Sequence, residues 1–117
     1  KGKKILNTLG KFDNAQGIVI DNGYILAVEA AEGTDMMLSR VFKLKQKNKK
    51  RSGVLIKLPK SNQNLKYDLP TIGLKTVQKC IKANLNGIFL KKNQNIFLNK
   101  NKSVELANKY NFFITAI

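Results

Sequence analysis

The fold class this sequence predicts is an α/β layered domain with a mixed, partly parallel sheet and flanking helices. Three observations carry that expectation. Short runs of β-branched and aromatic residues alternate with segments of helical spacing, in the order strand, helix, strand, helix, strand, helix, strand. Two of the runs flank Asn22-Gly23, the residue pair of a two-residue hairpin turn. A hydrophobic fraction of 43% in 117 residues suits a single core and argues against disorder, and no internal repeat interrupts the pattern.

Taken in order, residues 5–12 form a short amphipathic lead. Gly17-Ile18-Val19-Ile20 and Tyr24-Ile25-Leu26-Ala27-Val28 are the arms of the hairpin. From Thr34 onward Met36, Met37, Val41 and Leu44 recur at spacings that a helix puts on one side, with Thr34 or Asp35 placed to cap it. Residues 43–51 hold six basic side chains in nine positions and read as a mobile or solvated connection. Gly53-Val54-Leu55-Ile56-Lys57-Leu58 follows as a strand. Residues 59–73, with Pro59 and Pro70, then form a long irregular loop of the kind that usually carries function.

Val77, Ile81 and Leu85 at four-residue steps predict a helix over residues 74–83, capped by Thr71 or Thr76. Gly87-Ile88-Phe89-Leu90 and Asn95-Ile96-Phe97-Leu98 read as short strands. Residues 103–110 read as a helix with Val104, Leu106 and Ala107 inward and Asn111 at its C-terminal end. Residues 112–117 close the chain as a strand that takes Phe112 and Phe113 into the core.

Composition excludes several kinds of chemistry. Histidine is absent and Cys80 is the single cysteine, so there is no intrachain disulfide and no Cys/His metal site. Any reaction must run on carboxylates, hydroxyls, lysines or a metal held by oxygen. Cys80 and the pair Met36-Met37 are expected to fill the core. No apolar run reaches 18 residues and the first residues lack the apolar centre of a signal peptide, which leads us to expect an intracellular chain. Its start at Lys1 rather than Met suggests a piece of a longer protein.

The net charge of +15 would ordinarily point to an anionic partner. Of the 22 basic residues, however, only Arg40 and Arg51 are Arg, and Asn occurs 14 times. Lys and Asn share A-rich codons, so a genome of low GC content would push neutral surface positions toward this composition whatever the function. A basic nucleic-acid-binding module remains a rival reading, without an aromatic stacking platform or a basic-helix motif to support it.

Two constellations are candidates for chemistry. Of only seven acids, Glu29, Glu32 and Asp35 crowd into seven residues around a strand-to-helix turn. The carboxyl ends of strands are where α/β sheets bind ligands. There Gly33 allows close backbone approach, the helix start offers N–H groups to phosphate, and Glu32 and Asp35 supply the oxygen ligands that suit Mg²⁺. The plain alternative is a capping Asp beside solvated glutamates. The second constellation is Lys57, Lys60, Gln63, Asn64, Lys66 and Asp68, followed by Pro70-Thr71-Ile72-Gly73 before a helix. Lysines there serve as point charges for phosphate and Thr71 and Gly73 frame a second anion cradle, or the turn is simply a helix start.

Within these stretches Ala27-Val28-Glu29-Ala30-Ala31-Glu32-Gly33-Thr34-Asp35, Gly53-Val54-Leu55-Ile56-Lys57-Leu58-Pro59-Lys60 and Tyr67-Asp68-Leu69-Pro70-Thr71-Ile72-Gly73 carry a longer pattern. With Asp13, Gln16 and Asn84-Leu85-Asn86-Gly87, it resembles the C-terminal domain of the UDP-2,3-diacylglucosamine pyrophosphatases of the LpxI type, over nearly the whole chain. The resemblance implies Mg²⁺-dependent hydrolysis in lipid A synthesis, with water attacking the α-phosphorus of UDP-2,3-diacylglucosamine to release UMP and 2,3-diacylglucosamine 1-phosphate. It implies Asp35 as the key catalytic residue, with Glu32 and Thr34 beside it. It further implies Asp35, Glu32 and Asp68 near the metal, and Gly33, Lys57, Lys60, Gln63, Thr71 and Gly73 against the substrate.

The chain departs from the family pattern at Ala15, Ser61, Asn64 and Lys66, and Asn64 removes one possible anionic ligand. The resemblance also implies a separate N-terminal domain, a homodimer, and a cytoplasmic protein working peripherally at the inner membrane, with no role for nucleic acid. A domain that binds sugar nucleotide or lipid phosphate without hydrolysing it is the remaining alternative.

Overall fold

In the computed structural model the described residues are 1–10, 16–46, 50–59, 70–93 and 95–117. The hairpin forms where its turn residues place it. Gly17–Asp21 (β1) pairs antiparallel with Tyr24–Val28 (β2), and Asn22 and Gly23 take φ of 50° and 81°. Both central residues of such a turn need positive φ, which Asn and Gly tolerate best. Between the pairs Val19↔Ala27 and Ile20↔Ile25 the ladder passes over Leu26, a bulge that adds local twist.

Val54–Lys57 (β3), Gly87–Leu90 (β5) and Phe113–Ala116 (β7) complete a five-stranded sheet of order β2-β1-β3-β5-β7. β1 pairs antiparallel with β3, whereas β3, β5 and β7 run parallel, so the sheet is mixed as expected. Thr71–Ile72 (β4) and Ile96–Phe97 (β6) form a separate two-stranded parallel ladder. The residues of β4 belonged to the irregular loop in the sequence reading. Two residues are too few to show a period, and only their partner makes them a strand.

Helices cover both faces. Thr34–Leu44 (α2), Leu74–Lys82 (α3) and Lys100–Lys109 (α4) lie over one face, where Val19, Leu55 and Ile88 meet Met37, Val77 and Ala107 in the main core. Gly2–Gly10 (α1) lies on the other, where Leu6 packs with Ile18 and Leu58. Adjacent residues of β1, Ile18 and Val19, thus face opposite layers, as the two-residue period of a strand requires. α1 begins earlier than the expected lead at residue 5, and Gly2 permits its close approach: a Cβ there would run into Ile56 Cδ1.

Several local expectations are corrected. The N-cap positions of α2 and α3 are Gly33 and Gly73, without side-chain caps: Thr34 and Asp35 lie inside α2, Thr76 inside α3, and Thr71 in β4. Met37 is fully buried but Met36 is 60% exposed. In α4 the inward face is Ser103, Leu106 and Ala107, while Val104 points to solvent, since α4 starts at Lys100. Phe112 is core, whereas Phe113 lies half-exposed against Phe89 at 5.2 Å between ring centroids.

The basic run is not wholly a solvated connection either. Lys45 is buried, and its ammonium donates to the carbonyl of Ser52 and to that of Asn84 at 2.9 Å and pairs with Asp21 at 3.6 Å. Its stem and charge tie the end of α2 to the sheet.

Candidate functional site

With β1 antiparallel to its neighbours, the carboxyl ends of β2, β3, β5 and β7 and the start of β1 share one rim of the sheet. α2 leaves this rim directly after β2, and α3 starts there directly after β4. Residues from distant parts of the chain therefore converge on it: Gln16, Glu29, Thr34, Asp35, Lys57, Thr71 and Thr76.

Asp35 sits half-buried in the first turn of α2, where a carboxylate complements the helix dipole. Its Oδ1 accepts from Thr76 Oγ1 at 2.9 Å, a bond between the first turns of α2 and α3. Lys79 Nζ donates to Ser39 Oγ at 2.9 Å, and Ser39 Oγ donates to the Asp35 carbonyl at 3.2 Å, so a second chain of bonds holds the same two helices. Among the described residues Asp35 Oδ2 accepts no hydrogen bond. One carboxylate oxygen is thereby fixed by the protein while the other stays available.

Glu29 is almost fully buried at the end of β2. It accepts from the Gln16 backbone N–H at 3.2 Å and from the Thr34 hydroxyl. Lys57, at the end of β3, is 5% exposed and donates to the Thr71 carbonyl at 3.4 Å. Burial lowers its pKa, and the nearby charges of Glu29 and Asp35 oppose that fall. Cys80 lies beside this group as a buried thiol, its pKa pushed up by burial and by the Asp35 charge, so it is packing and not a nucleophile.

Gly33 adopts φ 86°, a conformation that disfavours other residues, and a Cβ built there meets nothing within 4 Å. The backbone at the start of α2 is open for a ligand to approach, and Gly73 is equally open at the start of α3.

Of the sequence-predicted site residues, the structure brings Thr34, Asp35, Lys57, Thr71, Gly33 and Gly73 to the rim. Glu32 instead points outward into an ion pair with Arg40, which also donates to the Val28 carbonyl at 3.2 Å. Lys60, Gln63 and Asp68 lie outside the described residues, as do Asp13 and Ala15 and the departures at Ser61, Asn64 and Lys66. Among the described residues no three acids or thiols gather into a metal cluster. Thr76, expected with Thr71 as an alternative cap of α3, bonds instead to Asp35, 41 positions away, a pairing that no local signal announces.

Chemically, the rim offers a constrained carboxylate with a spare oxygen, a buried ammonium and two open helix starts. Oxygen donors of this hardness suit Mg²⁺, which is commonly held by one or two carboxylates together with phosphate oxygens of the substrate. No described helix is long and apolar enough to cross a membrane.

Two comparisons with known proteins bear on the chain as a whole. The family model of the LpxI C-terminal domain matches residues 1–115. A curated relative, UDP-2,3-diacylglucosamine pyrophosphatase LpxI of Caulobacter vibrioides, is 35% identical over 121 residues. That match takes in 100% of this chain and 43% of the relative, so the chain spans less than half of the relative's length.

Proposed function

The chain belongs to the LpxI family through its C-terminal domain, and from that premise we propose that it hydrolyses UDP-2,3-diacylglucosamine when joined to the N-terminal domain of the same protein. In this reading water attacks the α-phosphorus. The bond from that phosphorus to the bridging oxygen breaks, and UMP and 2,3-diacylglucosamine 1-phosphate leave. Lipid A synthesis is the setting, at the cytoplasmic face of the inner membrane and as a homodimer.

The observation that carries the reading is Asp35, held through Thr76 on one oxygen with the other spare, beside a buried ammonium at the ligand-binding rim of the sheet. Asp35 would hold Mg²⁺ through Oδ2, with Asp68 as a further ligand. When bound, the ion neutralises charge that develops on the phosphate oxygens. Thr76 fixes the direction in which Asp35 presents its free oxygen. Lys57 offers a cation to the diphosphate from a site where water does not screen it, which strengthens the attraction. Gly33 and Gly73 let the phosphates approach the N–H groups of α2 and α3. Glu32 serves by holding Arg40 at the turn, and Thr34 by holding its backbone. Lys60, Gln63 and Thr71 complete the substrate contacts.

The test is UMP release by the full-length protein with Mg²⁺. Asp35→Ala is expected to lower turnover by about 10³-fold or more, a transition-state loss of about 4 kcal/mol, while substrate binding persists. Undiminished turnover in that variant removes Asp35 from the mechanism.

A further inference from the structure

We propose that Glu29 is a positioning residue of this site, setting through Gln16 and Thr34 the backbone of the turn that presents Asp35. The inference rests on the functional reading above. Glu29 has 9% of its surface exposed, a costly place for a carboxylate unless donors converge on it. They do, and from two separate segments. The Gln16 N–H, just before β1, donates to Oε2 at 3.2 Å, and the hydroxyl of Thr34, the first residue of α2, donates to Oε1. The Glu29 N–H in turn donates to the Gly17 carbonyl at 2.9 Å. Glu29 is thus bound to the start of β1 by main chain and side chain together, and it extends that anchorage to the residue next to Asp35.

The contacts missing from the turn make the same point. The N-cap of α2 is a glycine with no side-chain cap, and Ala30, Ala31 and Glu32 are exposed. Within the turn a backbone bond joins the Gly33 N–H to the Ala30 carbonyl at 3.2 Å. Thr34 lies one residue past the N-cap, inside α2, and its hydroxyl donates to Glu29. The position of Asp35 is therefore set from the sheet, through a buried acid, at a turn where glycine would otherwise leave the backbone free.

Steady-state kinetics of UMP release and backbone amide exchange, both on the full-length protein, test this. Glu29→Ala and Thr34→Val are each expected to lower kcat about 10- to 100-fold with KM within about threefold, as a displaced reacting group does. Thr34→Ser should recover most of that loss. The double variant should fall no further than the worse single one, because both break one connection. Amide exchange over residues 30–37 should quicken in both single variants. Additive losses, a KM rise at unchanged kcat, or no recovery with serine overturns the proposal.

If Glu29→Ala does not fold, Glu29→Gln takes its place, combined with Thr34→Val. The amide introduced by Glu29→Gln can accept from the Gln16 N–H and donate to the Thr34 hydroxyl, so this variant alone should keep the turn protected and Thr34→Val should expose it. A full-length protein that releases no UMP defeats the functional reading and not this one. Exchange then decides alone: unchanged exchange at residues 30–37 in Glu29→Ala or Thr34→Val overturns the positioning role.

Discussion

Replacing Lys57 with Met is expected to stabilise the fold while weakening the site. Lys57 is 5% exposed, and its ammonium reaches the Thr71 carbonyl at 3.4 Å, a long bond. Burial lowers its pKa, and the opposing pull of Glu29 and then Asp35 does not overcome it. The protonated lysine is therefore less favourable in the folded chain than in the unfolded one, and removing the charge is a gain. Exchanging a whole buried ion pair for apolar side chains of similar volume ranges from neutral to a gain of about 1–4 kcal/mol; here only the cation goes, so the gain is the relief of its own burial, about 1–3 kcal/mol. Against it stand a carbonyl that loses its donor, at about 1 kcal/mol, and two carboxylates that lose a cation. The expected net rise at neutral pH is about 1 kcal/mol.

The pH dependence has one sign. Below the lowered folded pKa, Lys57 is protonated in both states and its whole cost is present. Between that value and the ordinary 10.5 the native lysine releases its proton first, so the wild-type chain gains stability as pH rises and the variant's advantage fades. Urea unfolding of both chains at neutral pH and again near 10.5 reads this directly. A Met variant less stable than wild type at neutral pH refutes the reasoning, since the carboxylates would then need the cation more than burial penalises it.

Burial lowers the pKa of Lys45 too, against the pull of Asp21, but Lys45→Ala should act in the opposite direction, because it strips a donor from two carbonyls and Asp21 and, unlike Met, also removes the buried stem. Asp21 keeps the Ser52 hydroxyl as a donor, so the loss expected in urea unfolding is about 1–3 kcal/mol. Gly87→Ala would drive a Cβ into the Phe113 ring, which must swing away from Phe89. A loss of about 1–3 kcal/mol is expected, and unchanged unfolding would show that the ring is not held in place. Thr76→Val keeps the shape of a buried side chain but removes its bond to Asp35. It should cost about 1 kcal/mol of stability, and about tenfold in kcat of the full-length protein through lost orientation.

The parts of the fold that could be read from residues alone are those whose cause is local. Asn22-Gly23 specify their turn by the φ values they tolerate, and Gly87–Leu90 stands out as an apolar run between polar neighbours. The spacing of Met37 and Val41 announces α2, and both are buried. The Glu-Gly-Thr-Asp stretch marked the family because its residues are contiguous. The caps were misread for the same local reason: threonine looks like a cap wherever a helix begins, and nothing nearby reveals that Thr34 serves Glu29 and Thr76 serves Asp35.

By itself the sequence determined most of the elements, the hairpin and the exclusion of imidazole chemistry, which follow from residue type and from neighbours within a few positions; Asp35 was singled out only by the resemblance to a family. Tertiary structure alone decided which strands run parallel, that β4 finds β6, that Lys45 and Lys57 leave the solvent although lysine is common throughout the chain, and that Glu32 turns outward to Arg40. Each of these depends on groups brought together by packing from distant positions, where burial changes what a charge costs and what it can hold.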